Sequence, residues 1–167
     1  QTRIVSFFTV VDKKIAELKQ EKTLLEQYKK GMIQKLFSQE LQFKDDQGKV
    51  FPKWEKKQLK EIAEIYDGTH QTPKYVDSGI PFYSVEQVTA NDFNRTKFIS
   101  KSVFEKENKR VKLEKGDILM TRIGDIGTSR HIDWDVNASF YVSLALIKQS
   151  KKFNSEFLNH YISTIKF

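Results

Sequence analysis

The sequence predicts an α+β protein in which a long N-terminal, coiled-coil-type helix precedes a small domain built on a mixed sheet. Residues 2–38 contain no proline and repeat apolar side chains at helical spacing. Strand-like runs separated by glycine turns dominate from residue 80 onwards. A polar connector lies between these two parts. Because 167 residues suffice for one ordinary domain and an additional element, we expect a helix over 1–38, a connector over 39–53 and a domain over 54–167.

The N-terminal helix carries an apolar stripe with a seven-residue repeat. Phe7 and Tyr28 occupy the partner position of this heptad, and the repeat itself consists of Ile4, Val11, Leu18, Leu25 and Met32. Such a helix spans roughly 55 Å at about 1.5 Å per residue, which is more than one small domain can cover. We therefore expect this helix to pair with a second helix, which a homodimer could supply. The expected helix-pairing residues are Ile4, Phe7, Val11, Leu18, Leu25 and Met32. The alternative is a long core helix of a compact fold, which periodicity alone leaves open.

The connector and the start of the domain are marked by turn-forming residues. The polar run 44–49 and Pro52 predict a turn at 46–48 and a domain boundary near Pro52. A short amphipathic helix is expected over 57–65. The polar residues 67–73, which include a glycine and a proline, predict a loop.

The rest of the domain alternates strand-like runs with turns. Ser102 and Glu105 have the spacing of a capping box, which predicts a short helix. Strands are expected at 80–88, 98–99, 117–123, 129–134 and 139–148. A final helix is expected over 154–167, with Asn154 or Ser155 as its N-cap and with an apolar face formed by Phe157, Leu158, Tyr161, Ile162 and Ile165.

The composition indicates a chain with an anionic partner. The formal net charge of +7 favours nucleic acid, although a surplus of solvated lysines gives the same balance. Residues 1–61 hold 14 Lys and Arg against 9 Asp and Glu, whereas residues 62–167 hold 15 against 13. DNA contacts in the domain must therefore come from local clusters. No apolar run reaches the roughly 18 residues of a membrane span, and residues 1–4 show no secretory signal, so we expect a cytoplasmic location.

The sequence offers no catalytic or metal-binding motif. It contains no cysteine, which excludes disulfides, zinc–thiolate sites and thiol catalysis. His70, His131 and His160 lack metal-binding spacing, and no P-loop is present. Residues 124–127 have too few glycines for a dinucleotide fingerprint and are more typical of a hairpin turn. Residues 105–107 place two glutamates around a lysine, and this non-specific spacing is typical of a solvated helix face rather than of a nuclease metal site.

Two polar segments are candidates for binding DNA. Loop 67–75 and turn 122–131 each combine glycine, which lets the backbone approach a phosphate, with side chains that hydrogen-bond to phosphates and base edges. Each residue could equally stabilise a turn or be solvated, so the prediction concerns the two segments together. The candidate DNA-binding residues are Thr69, His70, Gln71, Thr72, Lys74, Tyr75, Arg122, Ser129, Arg130 and His131.

Several longer motifs resemble those of a known family. The run Tyr-Lys-Lys-Gly-Met-Ile-Gln-Lys-Leu-Phe at 28–37, together with residues 7–8 and 11–15, resembles the conserved helical spacer of type I restriction–modification specificity subunits. Residues 67–75, 79–82 and 116–124 resemble recurrent motifs of the target recognition domain in the same family. The resemblance covers nearly the whole chain.

This resemblance implies a non-catalytic subunit that recognises a specific DNA sequence. A full subunit of the family has two recognition domains and two helices that pack antiparallel, whereas this sequence has one of each, so we expect a half-subunit or a fragment with an incomplete recognition domain. The implied partners are double-stranded DNA, an antiparallel helix, and the methyltransferase and restriction subunits. No cofactor is expected in this chain, because those partner subunits use S-adenosylmethionine, ATP and Mg. The alternative is a dimerisation or scaffold fragment that does not bind DNA by itself.

Overall fold

The computed structural model describes residues 1–164, which form two compact units divided between Lys53 and Trp54. In the first unit, helix α1 runs without interruption over Thr2–Phe37. The helix ends where the Ser38 N–H donates to the Gln34 carbonyl and Gln39 adopts a positive φ of 63°. The predicted long helix is therefore confirmed.

The rest of the first unit is irregular except for one tight turn. The carboxylate of Asp45 accepts hydrogen bonds from the backbone N–H groups of Gln47 at 3.0 Å and Lys49 at 2.8 Å. Gly48 adopts a φ of 80°, a conformation that glycine takes without strain. This turn lies at the position that the polar run predicts.

The second unit contains two four-stranded sheets. Its strands are β1 (Ile65–Asp67), β2 (Tyr75–Val76), β3 (Ile80–Tyr83), β4 (Lys97–Ile99), β5 (Ile118–Thr121), β6 (Ser129–His131), β7 (Ser139–Phe140) and β8 (Leu144–Ile147). Its helices are α2 (Leu59–Ile62), α3 (Val85–Ala90), α4 (Lys101–Glu107) and α5 (Ser155–Ile162). The predicted α+β class is confirmed.

The two sheets differ in strand direction. The first has the order β1-β8-β5-β6 and is antiparallel throughout. The second has the order β2-β4-β3-β7, and its β3–β7 pair is parallel whereas the other pairs are antiparallel. The mixed sheet that the sequence predicts is thus the second of two.

The central strands β5 and β8 separate two apolar clusters. Leu119 and Leu146 face one cluster, whereas Ile118 and Ile147 face the other, which α5 covers with Leu158. Successive side chains of a strand point to opposite faces, so a strand buried on both sides is apolar at every position. This pattern explains the unbroken apolar run of β8.

Two predicted strands were wrong in extent. The run 80–88 ends as a strand at Tyr83, because Ser84 and Gln87 form a capping box that starts α3, in which the Ser84 N–H donates to Gln87 Oε1 at 2.8 Å. The run 139–148 is two strands, β7 and β8, that belong to different sheets. Between them the chain turns, and the Leu144 N–H donates to the Tyr141 carbonyl at 2.9 Å.

The remaining differences concern helix and strand ends. Helix α4 is capped by Ser100, which accepts from the Val103 N–H, and not by Ser102. The predicted helix 57–65 is shortened to α2, because β1 begins at Ile65. Helix α5 is capped by Asn154 as predicted, but it ends at Ile162 with Ser163 as its C-cap, short of the predicted extent. Ile165 of the predicted apolar face lies outside the described residues. Strands β5 and β6 are shorter than the runs 117–123 and 129–134.

Candidate nucleic-acid interface

The end of β1 is held by one arginine from a distant part of the chain. Arg110 Nη1 donates to Asp67 Oδ1 at 2.6 Å, and Arg110 Nη2 donates to the carbonyl groups of Asp67 and Gly68. His70 Nε2 lies 2.5 Å from Asp67 Oδ2. The hydrogen bond from Arg110 and then that from His70 lower the pKa of Asp67 to about 2, so the carboxylate is ionised at neutral pH.

The first half of loop 67–75 is fixed to the segment 140–142. The Thr69 N–H donates to the Phe140 carbonyl at 3.1 Å, and the Val142 N–H donates to the Thr69 carbonyl at 3.0 Å. A Cβ at Gly68 would overlap the backbone of Phe140 and Tyr141, so only glycine fits there without a shift. The loop therefore has a defined backbone position.

The second candidate segment meets the first at Asp67. The Arg122 N–H donates to the Ser143 carbonyl at 2.9 Å, and Arg122 Nη1 donates to the Val142 carbonyl at 3.3 Å. The same Nη1 lies 3.9 Å from Asp67 Oδ2. Loop 67–75 and the start of turn 122–131 are thus brought together on one surface.

Residues 122–128 form a tight turn between β5 and β6. The Thr121 hydroxyl donates to the Asp125 carbonyl, and the Thr128 hydroxyl donates to Asp125 Oδ2 at 2.6 Å. Gly124 and Gly127 have φ values of 69° and 91°, which L side chains rarely adopt. Their conformation agrees with the hairpin turn that the sequence predicts.

Residues 52–167 match the family model described as the type I restriction modification DNA specificity domain. The chain belongs to this family. A comparison with curated proteins found no match.

Two solved structures have a similar fold to this specificity domain and its helix. One is the HsdS subunit from Thermoanaerobacter tengcongensis, with 16% sequence identity and a TM-score of 0.54, over 97% of this chain and 40% of that chain. The other comes from work on complex assembly and conformational transition of the type I R-M system, with 16% identity and a TM-score of 0.56, over 96% of this chain and 39% of that chain. The sequence described here thus spans about 40% of the length of either similar chain.

The remaining loop residues of the specificity domain are mostly exposed. Thr72 is held by a hydrogen bond, because its hydroxyl lies 3.0 Å from that of Tyr141. Gln71 and Lys74 are exposed. Tyr75 lies in β2, with its ring centroid 6.0 Å from that of Phe82.

The three candidates in β6 have different surroundings. Ser129 is buried, and its hydroxyl donates to Asn159 Oδ1 of α5 at 2.9 Å, which is a structural contact. Arg130 is partly buried, which lowers the pKa of its guanidinium, and Nη1 donates to the Ser129 carbonyl at 2.8 Å. Its Nε is buried with no hydrogen-bond partner among the described residues. His131 is partly exposed and pairs with Ile118.

Sequence reasoning missed three residues that shape this surface. Arg110 holds the start of the loop, and Tyr141 contacts Thr72. Lys97 Nζ lies 4.7 Å from the centroid of the Tyr75 ring, within the range of a cation–π interaction. No local motif marks these residues, because each reaches the surface through sheet pairing or a tertiary contact.

Among residues 1–164, no three His, Asp or Glu side chains lie close enough to hold a metal ion. No helix in the described part of the chain is long and apolar enough to cross a membrane.

Proposed function

We propose that this chain recognises a specific sequence in double-stranded DNA as the specificity subunit, or half-subunit, of a type I restriction–modification complex. The observation that carries the proposal is the convergence of loop 67–75 and turn 122–131 at Asp67 in a chain of the specificity-domain family. Polar loops held by backbone hydrogen bonds can present their side chains to base edges and phosphates in a fixed arrangement. The DNA-binding side chains in this proposal are those predicted from the sequence except Ser129, whose hydroxyl has a structural role.

The partners in this proposal are the methyltransferase and restriction subunits, which the chain directs to the target. Chemistry then belongs to those subunits, with their S-adenosylmethionine, ATP and Mg, and the present chain acts without a catalytic site. The cytoplasmic location stays a prediction from the sequence.

The proposal assigns helix α1 to pairing with a second, antiparallel helix. Ile4, Phe7, Leu18 and Leu25 are all exposed, and no residue of α1 is buried. An apolar stripe of this length in water favours association. The second helix comes from another copy of this chain or from the rest of a longer subunit.

The test of DNA recognition begins by mapping the modified sites in cells that carry the complete system. The chain is then combined with its methyltransferase subunit, and binding to the mapped duplex and to a scrambled duplex is measured over a salt series. We expect the mapped site to bind at least roughly 10³-fold more tightly, with both affinities falling as salt rises. Equal affinity for both duplexes, or no binding, would contradict the proposal.

The second candidate function is a dimerisation or scaffold fragment without DNA binding of its own. The observation that favours it is the exposed stripe of α1, which serves association whether or not DNA is bound. The same salt series separates the two functions. A scaffold fragment gives a stable complex with the methyltransferase subunit but shows no salt-sensitive affinity for any duplex.

A further inference from the structure

We infer that Arg110, Arg122 and His70 form one contact site for a phosphate of the DNA backbone, assembled around the carboxylate of Asp67. This inference rests on the proposed function and extends it. It adds Arg110, which no sequence motif marks, and it assigns Arg122 to a phosphate rather than to a base.

Three nitrogen-bearing side chains converge on one carboxylate. Arg110 Nη1 lies 2.6 Å from Asp67 Oδ1, while His70 Nε2 and Arg122 Nη1 lie 2.5 Å and 3.9 Å from Asp67 Oδ2. Because both guanidinium groups lie close to the same carboxylate, they would repel each other if no anion lay between them. Asp67 therefore holds together three side chains that come from the loop after β1, from the segment after α4 and from the turn after β5.

The cluster keeps both charge and hydrogen-bonding capacity for a second anion. Two arginines and one aspartate leave a net positive charge even with a neutral imidazole. The side chains of His70, Arg110 and Arg122 are 69%, 51% and 46% exposed. A guanidinium has five N–H donors, and the hydrogen bonds of Arg110 and Arg122 to acceptors within the described residues use only some of them.

The geometry favours a phosphate over a base edge. Reading guanine takes a single guanidinium that lies in the plane of the base, whereas here two guanidinium groups are fixed beside each other through backbone carbonyls. A phosphate has several oxygen atoms and a full negative charge, so it can accept from both groups at once. Contacts of this kind position a protein on the duplex, and they would place the rest of loop 67–75 next to the bases.

Asp67 is a positioning residue in this site, and this role predicts that its substitution has the opposite effect on DNA binding from the usual one. Removing a negative charge from a DNA-binding surface ordinarily strengthens binding. If Asp67 assembles the site, however, Asp67→Asn weakens binding, because the two arginines lose the anion between them. Asp77 is exposed, and Asp77→Asn is the matched control, which should leave affinity unchanged or slightly increased.

The experiment uses the chain combined with its methyltransferase subunit. Affinities for the mapped and the scrambled duplex are measured over a salt series for wild type, Arg110→Ala, Arg122→Ala and Asp67→Asn. We expect each variant to lose roughly tenfold, the scale of one charge-assisted hydrogen bond. The loss should be equal on both duplexes, and each arginine variant should lower the slope of log affinity against log salt by about 1.

Duplexes that carry one neutral methylphosphonate identify the phosphate. At one position, the methylphosphonate should weaken DNA binding by wild type. It should have little further effect on binding by Arg110→Ala or Arg122→Ala, because these variants have already lost the contact. Lys109→Ala is the matched control, since its effect and that of the methylphosphonate should simply add. Circular dichroism and thermal unfolding confirm folding, and Arg110→Gln, which removes the charge but keeps an N–H donor for the Asp67 carboxylate, replaces Arg110→Ala if the latter does not fold.

Several results would overturn the inference. A loss confined to the mapped duplex with an unchanged salt slope would show base reading, and additive effects at every methylphosphonate position would show that no phosphate is shared. Tighter binding by Asp67→Asn, or unchanged affinity in both arginine variants, would also exclude the site. A wild-type complex that does not bind DNA removes the proposed function itself, whereas these other failures leave that function in place.

Discussion

The hydroxyl groups of Thr72 and Tyr141 lie 3.0 Å apart although 69 positions separate the two residues in the chain. Next to Tyr141, the Phe140 carbonyl accepts a hydrogen bond from the Thr69 N–H, and the Val142 N–H donates to the Thr69 carbonyl. Loop 67–75 is therefore attached to residues 140–142, at the end of β7 and immediately after it, by both backbone and side-chain contacts.

Gly68→Ala should destabilise the second unit, because the added Cβ would overlap the backbone of Phe140 and Tyr141. We expect a loss of roughly 1–3 kcal/mol in the free energy of unfolding, the usual scale of overpacking. Tryptophan fluorescence in a urea titration reports this unit, since Trp54 and Trp134 both lie in it. Gly31→Ala, where nothing lies within 4 Å of the added Cβ, should leave that transition unchanged. An unchanged midpoint in Gly68→Ala would contradict the close approach.

The stability that Asp67 provides should depend on pH in a defined direction. Its pKa falls from 3.8 to about 2 in the folded chain, mainly through the hydrogen bond from Arg110. A carboxyl group with a lowered folded-state pKa stabilises the fold above its unfolded pKa and loses this effect as pH falls through its folded pKa. The difference in unfolding free energy between wild type and Asp67→Asn that is measured at pH 5 should therefore shrink as the pH falls below about 4. Urea titrations at several pH values measure it, and a difference that is undiminished at pH 2.5 would argue against the ionised network.

Arg130→Met tests whether the partly buried guanidinium reads a base. Methionine keeps the aliphatic packing and removes a buried Nε that has no hydrogen-bond partner among the described residues. We expect the free energy of unfolding to change by less than about 1 kcal/mol. If Arg130 reads a base, the variant loses about 1–3 kcal/mol of binding free energy on the mapped duplex and none on a scrambled duplex. Retained affinity on the mapped duplex would limit Arg130 to a structural role.

Changing Leu18 and Leu25 to aspartate should abolish pairing of α1. These side chains are 51% and 60% exposed within the single chain, so the substitutions alter the apolar stripe without disturbing a core. We expect wild type to associate and the double variant to be monomeric by light scattering.

The matched control for helix pairing places the same two charges on another face of α1. Gln20→Asp with Gln27→Asp should leave association unchanged, because both positions lie outside the heptad stripe. If wild type is already monomeric at tens of micromolar, self-pairing is wrong and the second helix must come from a different chain segment.

The parts of the structure that could be predicted from sequence are those determined locally. The heptad repeat gives α1, and the glycines at 124 and 127 give the turn after β5, because backbone conformation there depends on neighbouring residues. The capping box of Ser84 and Gln87 is also a local signal, but it lies at the end of an apolar run that resembles a strand, so the start of α3 was not predicted.

The parts that could not be predicted depend on contacts between distant residues. Nothing in the run 139–148 separates β7 from β8, since it contains neither glycine nor proline. The hydrogen bonds from Arg110 to Asp67 span 43 positions and have no sequence motif. The two candidate segments were predicted individually, whereas their meeting at Asp67 required the folded chain.

The way in which loop 67–75 is anchored bears on how recognition can diversify. The anchoring contacts use the backbone of residues 67–69 and the hydroxyl of Thr72, whereas the exposed side chains of Gln71 and Lys74 make no hydrogen bond or ion pair within the described residues. Substitutions at 71 and 74 therefore carry little folding cost. Under the proposed function, new target sequences can then arise by substitution at these two positions while the anchoring residues stay unchanged.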